Sequence, residues 1–329
     1  MRSGNEGGMN DRLLAFDVLR AVALGMILAC HFVEDLGLWG LGSVLGLSGN
    51  FVFFMMSGAL LGRAWRRAGE PPYGGAFLRH RLLRLAVPLW LFVVPWFVFL
   101  LLRGASISIK TFLLHMTLLN WVAHTAPGMF ATWFVTAVCV FYALVAVATH
   151  LRAVPWLLWC AGLVVAQILA SLVGLHQAYF FLHLGFAFLA FFKGEALLAW
   201  MRRRTEAGLF VMGVGFIMVG IVGEGVAKRL GWTDPALHSW MCYMPVAVGV
   251  VSIVFALSRG RQVGVFIRKA SELSYEAYLV HMAVLLIVRP FCSHVLVYAS
   301  CYLLVTFAFA GLLHGASARL FSFAKRRLV

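Results

Sequence analysis

The stretch LLRLAVPLWLFVVPWFVFLLL, residues 82–102, runs for twenty-one residues with a single charged side chain, Arg84. A helix needs roughly 20 mostly apolar residues to cross a hydrocarbon layer about 30 Å thick. A helix also pairs all the backbone N–H and C=O groups of a segment that lies in lipid. The stretch therefore predicts a membrane-spanning helix.

The rest of the chain has a similar composition. Of its 329 residues, 63% are hydrophobic and 12% are charged, whereas a soluble domain averages about 45–50% apolar and about 25% charged residues. The mean hydropathy is +0.93. These values exclude a soluble globular protein, a disordered chain, a collagen-like fibre and a disulfide scaffold. We therefore expect an all-α polytopic membrane protein.

Further apolar runs predict about ten transmembrane helices in all. They lie near residues 14–35, 45–62, 82–102, 130–150, 154–174, 178–198, 208–227, 239–257, 272–290 and 295–317. No repeat or low-complexity linker divides the chain, so we expect one integral membrane domain over residues 1–329. Its polar N-terminus (1–12) and basic C-terminus (318–329) are expected to be cytoplasmic.

The stretch 109–122 is apolar but short for a span. It carries Lys110, His115 and Asn120, and His124 follows it closely. Short apolar segments with polar residues are typical of re-entrant or interfacial helices. We expect such a helix here.

The net charge of +15 has two possible explanations. A basic chain is typical of nucleic-acid-binding proteins, but Lys and Arg also concentrate in the cytoplasmic loops of membrane proteins. The basic clusters all lie between or after apolar runs, at residues 63–84, 202–204, 259–269 and 325–327. An even number of spans puts both termini on one side, and cytoplasmic termini place all these clusters in the cytoplasm. We therefore predict an N-in, C-in topology and no nucleic-acid partner.

Few cations remain for the opposite side of the membrane. They are Arg103, Lys110, Lys228, Arg229 and Arg289. This asymmetry agrees with the positive-inside rule.

The cysteines and histidines suggest no metal centre. The six cysteines lie in or beside apolar stretches without a CxxC pair, and they are interpreted as apolar packing residues. The histidines show no HxxxH or HExxH spacing. We therefore expect no bound metal.

The first predicted span concentrates ionisable side chains: Asp17, Arg20, His31, Glu34 and Asp35. Such residues cost about 2.5–3.5 kcal/mol each at a helix centre, so they mark candidate functional sites. Asp17 and Arg20 are three residues apart and can pair. Arg20 and His31 are eleven residues apart, which places them on one helical face about 16 Å apart. Glu34 or Asp35 could orient the His31 imidazole.

These residues also have structural explanations. Asp17 and Arg20 could be a helix-start carboxylate and a snorkelling cation, and His31 could be a hydrogen-bonded packing residue. A second polar group, Ser274, Tyr278 and His281, shares one helical face because the spacings are four and three residues. Such a stripe predicts either a cavity or a hydrogen-bonded helix interface.

Five motifs in order resemble the acyltransferase-3 family of integral membrane acyltransferases. They are FDVLRAVALGMILACH (16–31), FVFFMMSGALLGR (51–63), FLRHRLLRLAVPLW (77–90), FAFLAFFKGEALLAW (186–200) and ELSYEAYLVHMAVLLIV (272–288). The first resembles the family's opening helix, in which ten residues separate an Arg from a His. One segment departs from the family pattern: in TWFVTAVCVFYAL (132–144), Val138 and Cys139 stand where many members carry acidic residues.

The resemblance implies an O-acyltransferase. It assigns His31 as a general base or a transient acyl carrier, with Asp17 and Arg20 shaping a cytoplasmic entrance. It assigns Arg81 and Arg84 to the phosphates of acyl-CoA. Without the resemblance, the same pair could instead be a cytoplasmic anchor of the kind that the positive-inside rule describes. Acetyl-CoA is the expected donor.

The expected acceptor is a hydroxyl of a surface glycan or a lipid-linked sugar, and the expected location is the plasma membrane, the inner membrane of a bacterium. The expected substrate-lining residues are Glu34, Asp35, Ser274, Tyr278 and His281. Two other functions remain open at this point. A small-molecule transporter could use Asp17, Arg20 and His31 as a relay, although no symmetric halves are visible. A membrane protein without enzymatic activity is the other alternative.

Overall fold

The computed structural model describes residues 7–119, 126–172, 179–232, 238–259 and 261–327, and all regular secondary structure in these ranges is helical. The described residues form twelve α-helices: α1 (Gly7–Asp35), α2 (Trp39–Arg67), α3 (Gly75–Leu102), α4 (Ile109–Met116), α5 (Trp133–His150), α6 (Trp156–Leu172), α7 (Tyr179–Arg202), α8 (Glu206–Arg229), α9 (Met244–Ser258), α10 (Val265–Glu272), α11 (Ser274–Val288) and α12 (Val295–Arg327). A 3₁₀ turn precedes α5, another follows α11, and a π-helical turn (Ser239–Tyr243) precedes α9.

Eight helical segments in the described ranges are long and apolar enough to cross a membrane. They are Leu14–Asp35, Trp39–Arg67, Gly75–Leu102, Phe130–His150, Phe180–Arg202, Glu206–Arg229, Met241–Ser258 and Val295–Ser322. Each coincides with a predicted span. The prediction of an all-α, multi-pass protein is confirmed.

The two other predicted spans are not among these eight segments. The run at 154–174 forms α6, whose 17 described residues extend about 26 Å, and residues 173–178 lie outside the described ranges. The run at 272–290 forms α11 and the 3₁₀ turn after it, which agrees with the predicted bounds. The prediction did not include the short helix α10 directly before it. There α10 and the helix that follows are bent by 76°. Because α10 carries Arg268, Lys269 and Glu272 in eight residues, it cannot continue the apolar span.

The structure also differs from the predictions for the two chain termini and for the short apolar stretch at 109–122. α1 begins at Gly7, inside the stretch predicted as a polar terminus, and residues 1–6 are not described. α12 continues to Arg327, so most of the predicted basic C-terminus is helical. The apolar stretch from residue 109 forms α4, whose eight residues extend about 12 Å and cannot cross a membrane. Asn120 and His124 lie outside the described residues.

The helices form two compact units. The first comprises Met1–Pro72 and Ala148–Ser271 and contains α1, α2 and α6 to α10. The second comprises Tyr73–Val147 and Glu272–Val329 and contains α3, α4, α5, α11 and α12.

In the first unit, α2 packs against α1, α7 and α9, and its glycines allow this close approach. Gly42, Gly46 and Gly49 face α1, where a Cβ at Gly49 would lie 2.9 Å from the carbonyl oxygen of Ala23. Two further glycines, Gly58 and Gly62, face α7, where a Cβ would collide with backbone carbonyls. Small residues let transmembrane helices pack backbone to backbone, where dispersion contacts stabilise the pair.

In the second unit, aromatic side chains donate hydrogen bonds to backbone carbonyls. The Tyr275 hydroxyl donates to Leu85 O at 2.7 Å, connecting α11 to α3. The Trp96 indole donates to Pro127 O at 2.9 Å. The next residue, Gly128, has φ +75° and lies against α11, where a Cβ would be 3.1 Å from Ala283 Cα. These bonds fix the loop before α5 on the helices of this unit.

The α2–α7 contact can be tested with Gly62→Leu. The new side chain would meet the carbonyl of Phe191, and overpacking of this kind costs about 1–3 kcal/mol or more. We expect a clear drop in the thermal unfolding temperature of the purified protein. The control is Gly215→Leu on exposed α8, where nothing lies within 4 Å of the new Cβ. Equal unfolding temperatures for the two variants would contradict this packing.

Candidate functional site

Asp17 and Arg20 on α1 are connected through a serine of α10. The Ser271 hydroxyl donates to Asp17 Oδ1 at 2.8 Å, and Arg20 Nη1 donates to Ser271 Oγ at 3.2 Å. Arg20 Nη1 also lies 3.8 Å from Asp17 Oδ1. Both charged side chains are about one-third exposed, at 33% for Arg20 and 37% for Asp17. The Asp17–Arg20 pair that the spacing predicted is therefore part of a three-residue network between two helices.

His31 is hydrogen-bonded to a carboxylate one turn further along α1. Its Nδ1 lies 2.9 Å from Glu34 Oε2, and the two side chains are 14% and 18% exposed. A carboxylate at Nδ1 favours the tautomer with its proton on that nitrogen. The lone pair is then on Nε2, which can accept a proton. Of the two acids proposed to orient His31, Glu34 forms this bond, and Asp35 is the last residue of the helix.

α1 is continuous from Gly7 to Asp35, so the spacing inferred from the sequence holds. Arg20 and His31 lie on one face, about 16 Å apart along the axis. Helix α2 fixes the second of these positions, because Gly42 packs on the Glu34 side chain and Gly46 on Cys30. The imidazole and its carboxylate are therefore held against the first turns of α2.

The same turn of α1 contains the residues that could hold a metal ion. One ligand atom each of Cys30, His31 and Glu34 lies within 4.8 Å of the other two. A thiolate, an imidazole and a carboxylate are all zinc ligands. However, Nδ1 already contacts the carboxylate at 2.9 Å, a geometry that orients a histidine without a metal. Regular His and Cys spacings do not reveal this group, because it combines two adjacent residues with a carboxylate one turn later on the same helix.

In the second unit, aromatic rings surround Arg81. Its guanidinium carbon lies 5.6 Å from the ring centres of both Phe77 and Tyr142, a distance that allows cation–π attraction. Phe77 in turn stacks on Tyr73, with ring centres 3.9 Å apart. Burial raises the pKa of the Tyr73 phenol, while the nearby Arg81 charge acts in the opposite direction. Arg84 lies one turn later on α3 and is exposed.

The polar stripe on α11 is buried. Ser274, Tyr278 and His281 are 4%, 3% and 0% exposed. The Tyr278 hydroxyl donates to Ala131 O at 2.8 Å, and His281 Nδ1 lies 2.6 Å from Tyr278 O. Of the two explanations that the sequence allowed, these contacts favour a hydrogen-bonded interface within the unit.

Three polar groups in the structure were not predicted from the sequence. Ser271 was missed because the ninth predicted span was taken to begin at residue 272. Glu276 is 6% exposed, and its Oε1 lies 2.9 Å from Nδ1 of His314 on α12. Arg63 was counted as a loop cation, but it is 5% exposed and its Nε lies 3.5 Å from Glu195 Oε1. The sequence signal that could have identified the Glu276–His314 and Arg63–Glu195 pairs was an ionisable residue inside an apolar run.

Comparison with known families identifies the family of this chain. The chain matches the acyltransferase-3 family, described as an acyltransferase domain, over residues 13–315. The chain belongs to the acyltransferase-3 family. No curated protein and no solved structure matched it.

Membership confirms the resemblance drawn from the five motifs, and the matched range includes residues of both units. The protein is a multi-pass membrane acyltransferase. This result favours the enzymatic hypothesis over the transporter and over a membrane protein without activity.

The network at Ser271 can be tested with Ser271→Ala. The change removes a hydrogen bond to each of two partly buried charges, and losses of this kind cost about 1–3 kcal/mol. We expect a lower unfolding temperature and a several-fold loss of acyl transfer. The control is Ser300→Ala, since the exposed Ser300 hydroxyl donates to Leu296 O within its own helix. Unchanged stability and activity in Ser271→Ala would mean that the network has no function.

Proposed function

We propose that the protein transfers an acyl group, specifically acetyl, from cytoplasmic acyl-CoA to a hydroxyl of a surface glycan or a lipid-linked sugar. The membrane is the plasma membrane, the inner membrane of a bacterium. The observation that carries this proposal is the His31–Glu34 hydrogen bond of 2.9 Å in a chain of an acyltransferase family.

The chemistry requires a base for the acceptor. As the acceptor oxygen attacks the thioester carbon, a C–O bond forms, the C–S bond breaks, and the hydroxyl proton must leave. Imidazole suits this task because its ordinary pKa is close to physiological pH. Nε2 of His31 takes the proton and passes it to the departing CoA sulfur, while Glu34 stabilises the imidazolium at Nδ1. The same Nε2 would carry the acyl group in a two-step transfer.

The donor is assigned to Arg81 and Arg84. CoA carries several phosphates, and the planar donor fork of arginine suits phosphate oxygens. Phe77 and Tyr142 restrict the Arg81 guanidinium, which reduces the entropy lost on binding. Arg84 projects one turn later from the same helix and is exposed. In the predicted topology this end of α3 is cytoplasmic.

The remaining assignments concern positioning. Asp17 and Arg20 are proposed to shape the cytoplasmic entrance, with Ser271 fixing their orientation. His31 lies near the opposite end of α1, which is the outer half in the predicted topology and suits an extracytoplasmic acceptor. Asp35 at the end of α1 is proposed to line the acceptor path. Ser274, Tyr278 and His281 are proposed to line the substrate path in the second unit from within the hydrogen-bonded interface described above.

The base is tested with His31→Ala and Glu34→Gln. His31→Ala should abolish transfer of labelled acetyl groups. Glu34→Gln should lower kcat by about 10- to 100-fold with little change in KM, because general-base catalysis contributes about 10²–10⁴-fold. Glu34→Asp should recover part of the rate, and Glu206→Gln at the start of α8 is the control. Full activity of a correctly inserted His31→Ala variant would exclude this mechanism.

The donor site is tested with Arg81→Ala and Arg84→Ala. Each change removes a phosphate-binding cation, so the KM for acetyl-CoA should rise by roughly 10-fold or more, since a charged hydrogen bond contributes about 1.5–3 kcal/mol. The acceptor KM should stay the same. The control is Arg79→Ala, an exposed arginine of the same segment. If both variants change only abundance or topology, these arginines are positive-inside anchors.

A further inference from the structure

The C-terminal end of α1 brings together three side chains that each offer a different ligand to a metal ion. His31 Nδ1 lies 3.8 Å from Cys30 Sγ and 2.9 Å from Glu34 Oε2, and the three residues form one compact group. A thiolate sulfur, an imidazole nitrogen and a carboxylate oxygen are the ligands that Zn²⁺ takes in proteins. The group therefore has the composition of a zinc site.

The distances between these atoms are close to those of a tetrahedral zinc site. Zinc bonds of about 2.0–2.3 Å place two ligand atoms about 3.3–3.6 Å apart. The observed separations of 3.8 Å and 2.9 Å lie on either side of that range, so small side-chain rotations bring both into it. Three protein ligands leave the fourth position to water, as in zinc sites that stay open.

Helix α2 restricts the positions of two of these ligands. A Cβ at Gly46 would lie 2.5 Å from Cys30 Sγ, and a Cβ at Gly42 would collide with the Glu34 side chain. The backbone of α2 therefore limits the movement of the thiol and the carboxylate away from His31. Cys30 is 3% exposed, whereas the His31 and Glu34 side chains are 14% and 18% exposed. An ion reaches the group past the imidazole and the carboxylate.

The local charge at this end of α1 favours a cation. Residues 21–62 contain only two charged side chains, those of Glu34 and Asp35, and the last turn of α1 has no basic residue. The dipole at the C-terminus of a helix disfavours carboxylates and favours cations. A divalent cation bound here offsets both the carboxylates and the dipole.

We propose that Cys30, His31 and Glu34 form a regulatory site for Zn²⁺, and that bound zinc stops acyl transfer. The inhibition rests on the proposed function, in which His31 Nε2 is the base, whereas the binding of zinc does not depend on it. On binding, the Cys30 thiol loses its proton to water and the thiolate sulfur bonds to the ion. The imidazole proton moves from Nδ1 to Nε2, Nδ1 bonds to the ion, and the Glu34 carboxylate becomes the third ligand.

Zinc and catalysis exclude each other because they need opposite tautomers of one imidazole. A neutral imidazole has one protonated and one unprotonated nitrogen. In the metal-free enzyme Glu34 accepts the proton of Nδ1, which leaves the Nε2 lone pair for the acceptor hydroxyl. With zinc on Nδ1, the proton lies on Nε2 and the base has no lone pair to offer. Zinc therefore inhibits without occupying the site proposed for acyl-CoA.

Binding is tested first, on the full chain in detergent with a phosphine reductant and without acyl-CoA. The probe is Co²⁺, which accepts zinc ligands and shows a thiolate-to-cobalt charge-transfer band in the near ultraviolet. We expect this band in the wild type, its loss in Cys30→Ala, and displacement of the cobalt by Zn²⁺. The matched control is Cys160→Ala, which should keep the band because its thiol lies on α6, 3.9 Å from Gly185 O. A wild type without the band, or an unchanged band in Cys30→Ala, would overturn the proposal.

Inhibition is then measured as the rate of labelled acetyl transfer. Zn²⁺ should lower kcat without changing the KM for acetyl-CoA, and a chelator should restore the rate. Cys30→Ala and Cys30→Ser should keep the rate measured without zinc, because the thiol takes no part in the proposed transfer. Each should need at least about tenfold more Zn²⁺ for half-inhibition, since even indirect changes at metal sites cost about 10–100-fold in affinity.

Two further comparisons exclude other causes of inhibition. Cys30→Ser keeps the size of the side chain, so its zinc resistance cannot come from a packing defect. Mg²⁺ and Ca²⁺ prefer oxygen ligands alone and should not inhibit at the zinc concentrations used. Equal zinc inhibition of the wild type and Cys30→Ser, or equal inhibition by Mg²⁺, would contradict a site that depends on the thiol.

The two assays separate this inference from the proposed function. Since no acyl donor is present in the cobalt assay, metal binding is measured independently of catalysis. If cobalt binds through Cys30 but transfer does not depend on His31, the metal site stands, and the assigned base fails together with the reason for inhibition. If transfer depends on His31 but neither cobalt binding nor zinc inhibition depends on Cys30, this inference fails and the proposed function stands.

Discussion

Ionisable side chains in a span need partners, because hydrocarbon offers none and an unpaired charge at a helix centre costs about 2.5–3.5 kcal/mol. The protein meets this constraint with short hydrogen-bonded pairs. Glu34 holds His31 within α1, Ser271 bridges Asp17 and Arg20, and Glu276 binds His314 between α11 and α12. Each pair also fixes the orientation of its members. The Glu34 contact that makes His31 tolerable in lipid is therefore also the one that orients the imidazole for the proton transfer proposed above.

Helix α2 determines where these pairs lie in the first unit. Its glycines bring α1 close on one side and α7 close on another, and Gly42 leaves room for the Glu34 side chain. A bulkier residue at this position would push α1 away and move the carboxylate that holds His31. The glycines of α2 therefore determine the position of the proposed base, because they fix the distance between the backbones of α2 and α1.

Spans and local pairs could be predicted from the sequence, but contacts between distant segments could not. Asp17 with Arg20 and His31 with Glu34 are three residues apart on a continuous helix, so their pairing follows from helical geometry. Ser271 is 254 residues from Asp17, and its contact depends on how α10 packs on α1. Glu276 with His314 and Arg63 with Glu195 likewise depend on which helices are neighbours. Helix α10 and its bend against α11 were not predicted, because an apolar run indicates a span but does not show how the charged segment before it folds.

The outer side of the predicted topology carries few cations, and this scarcity makes Lys228 informative. The positive-inside rule disfavours cations on that side, so each one present calls for its own explanation. The C-terminal dipole of α8 offers about 0.3–1 kcal/mol to a cation at its end. Glu224 adds to that term, because Lys228 Nζ lies 3.2 Å from its Oε1, four residues earlier on the same helix. Pairs with this spacing stabilise a helix by about 0.2–0.5 kcal/mol. The dipole and the neighbouring carboxylate together account for a lysine at this end of α8.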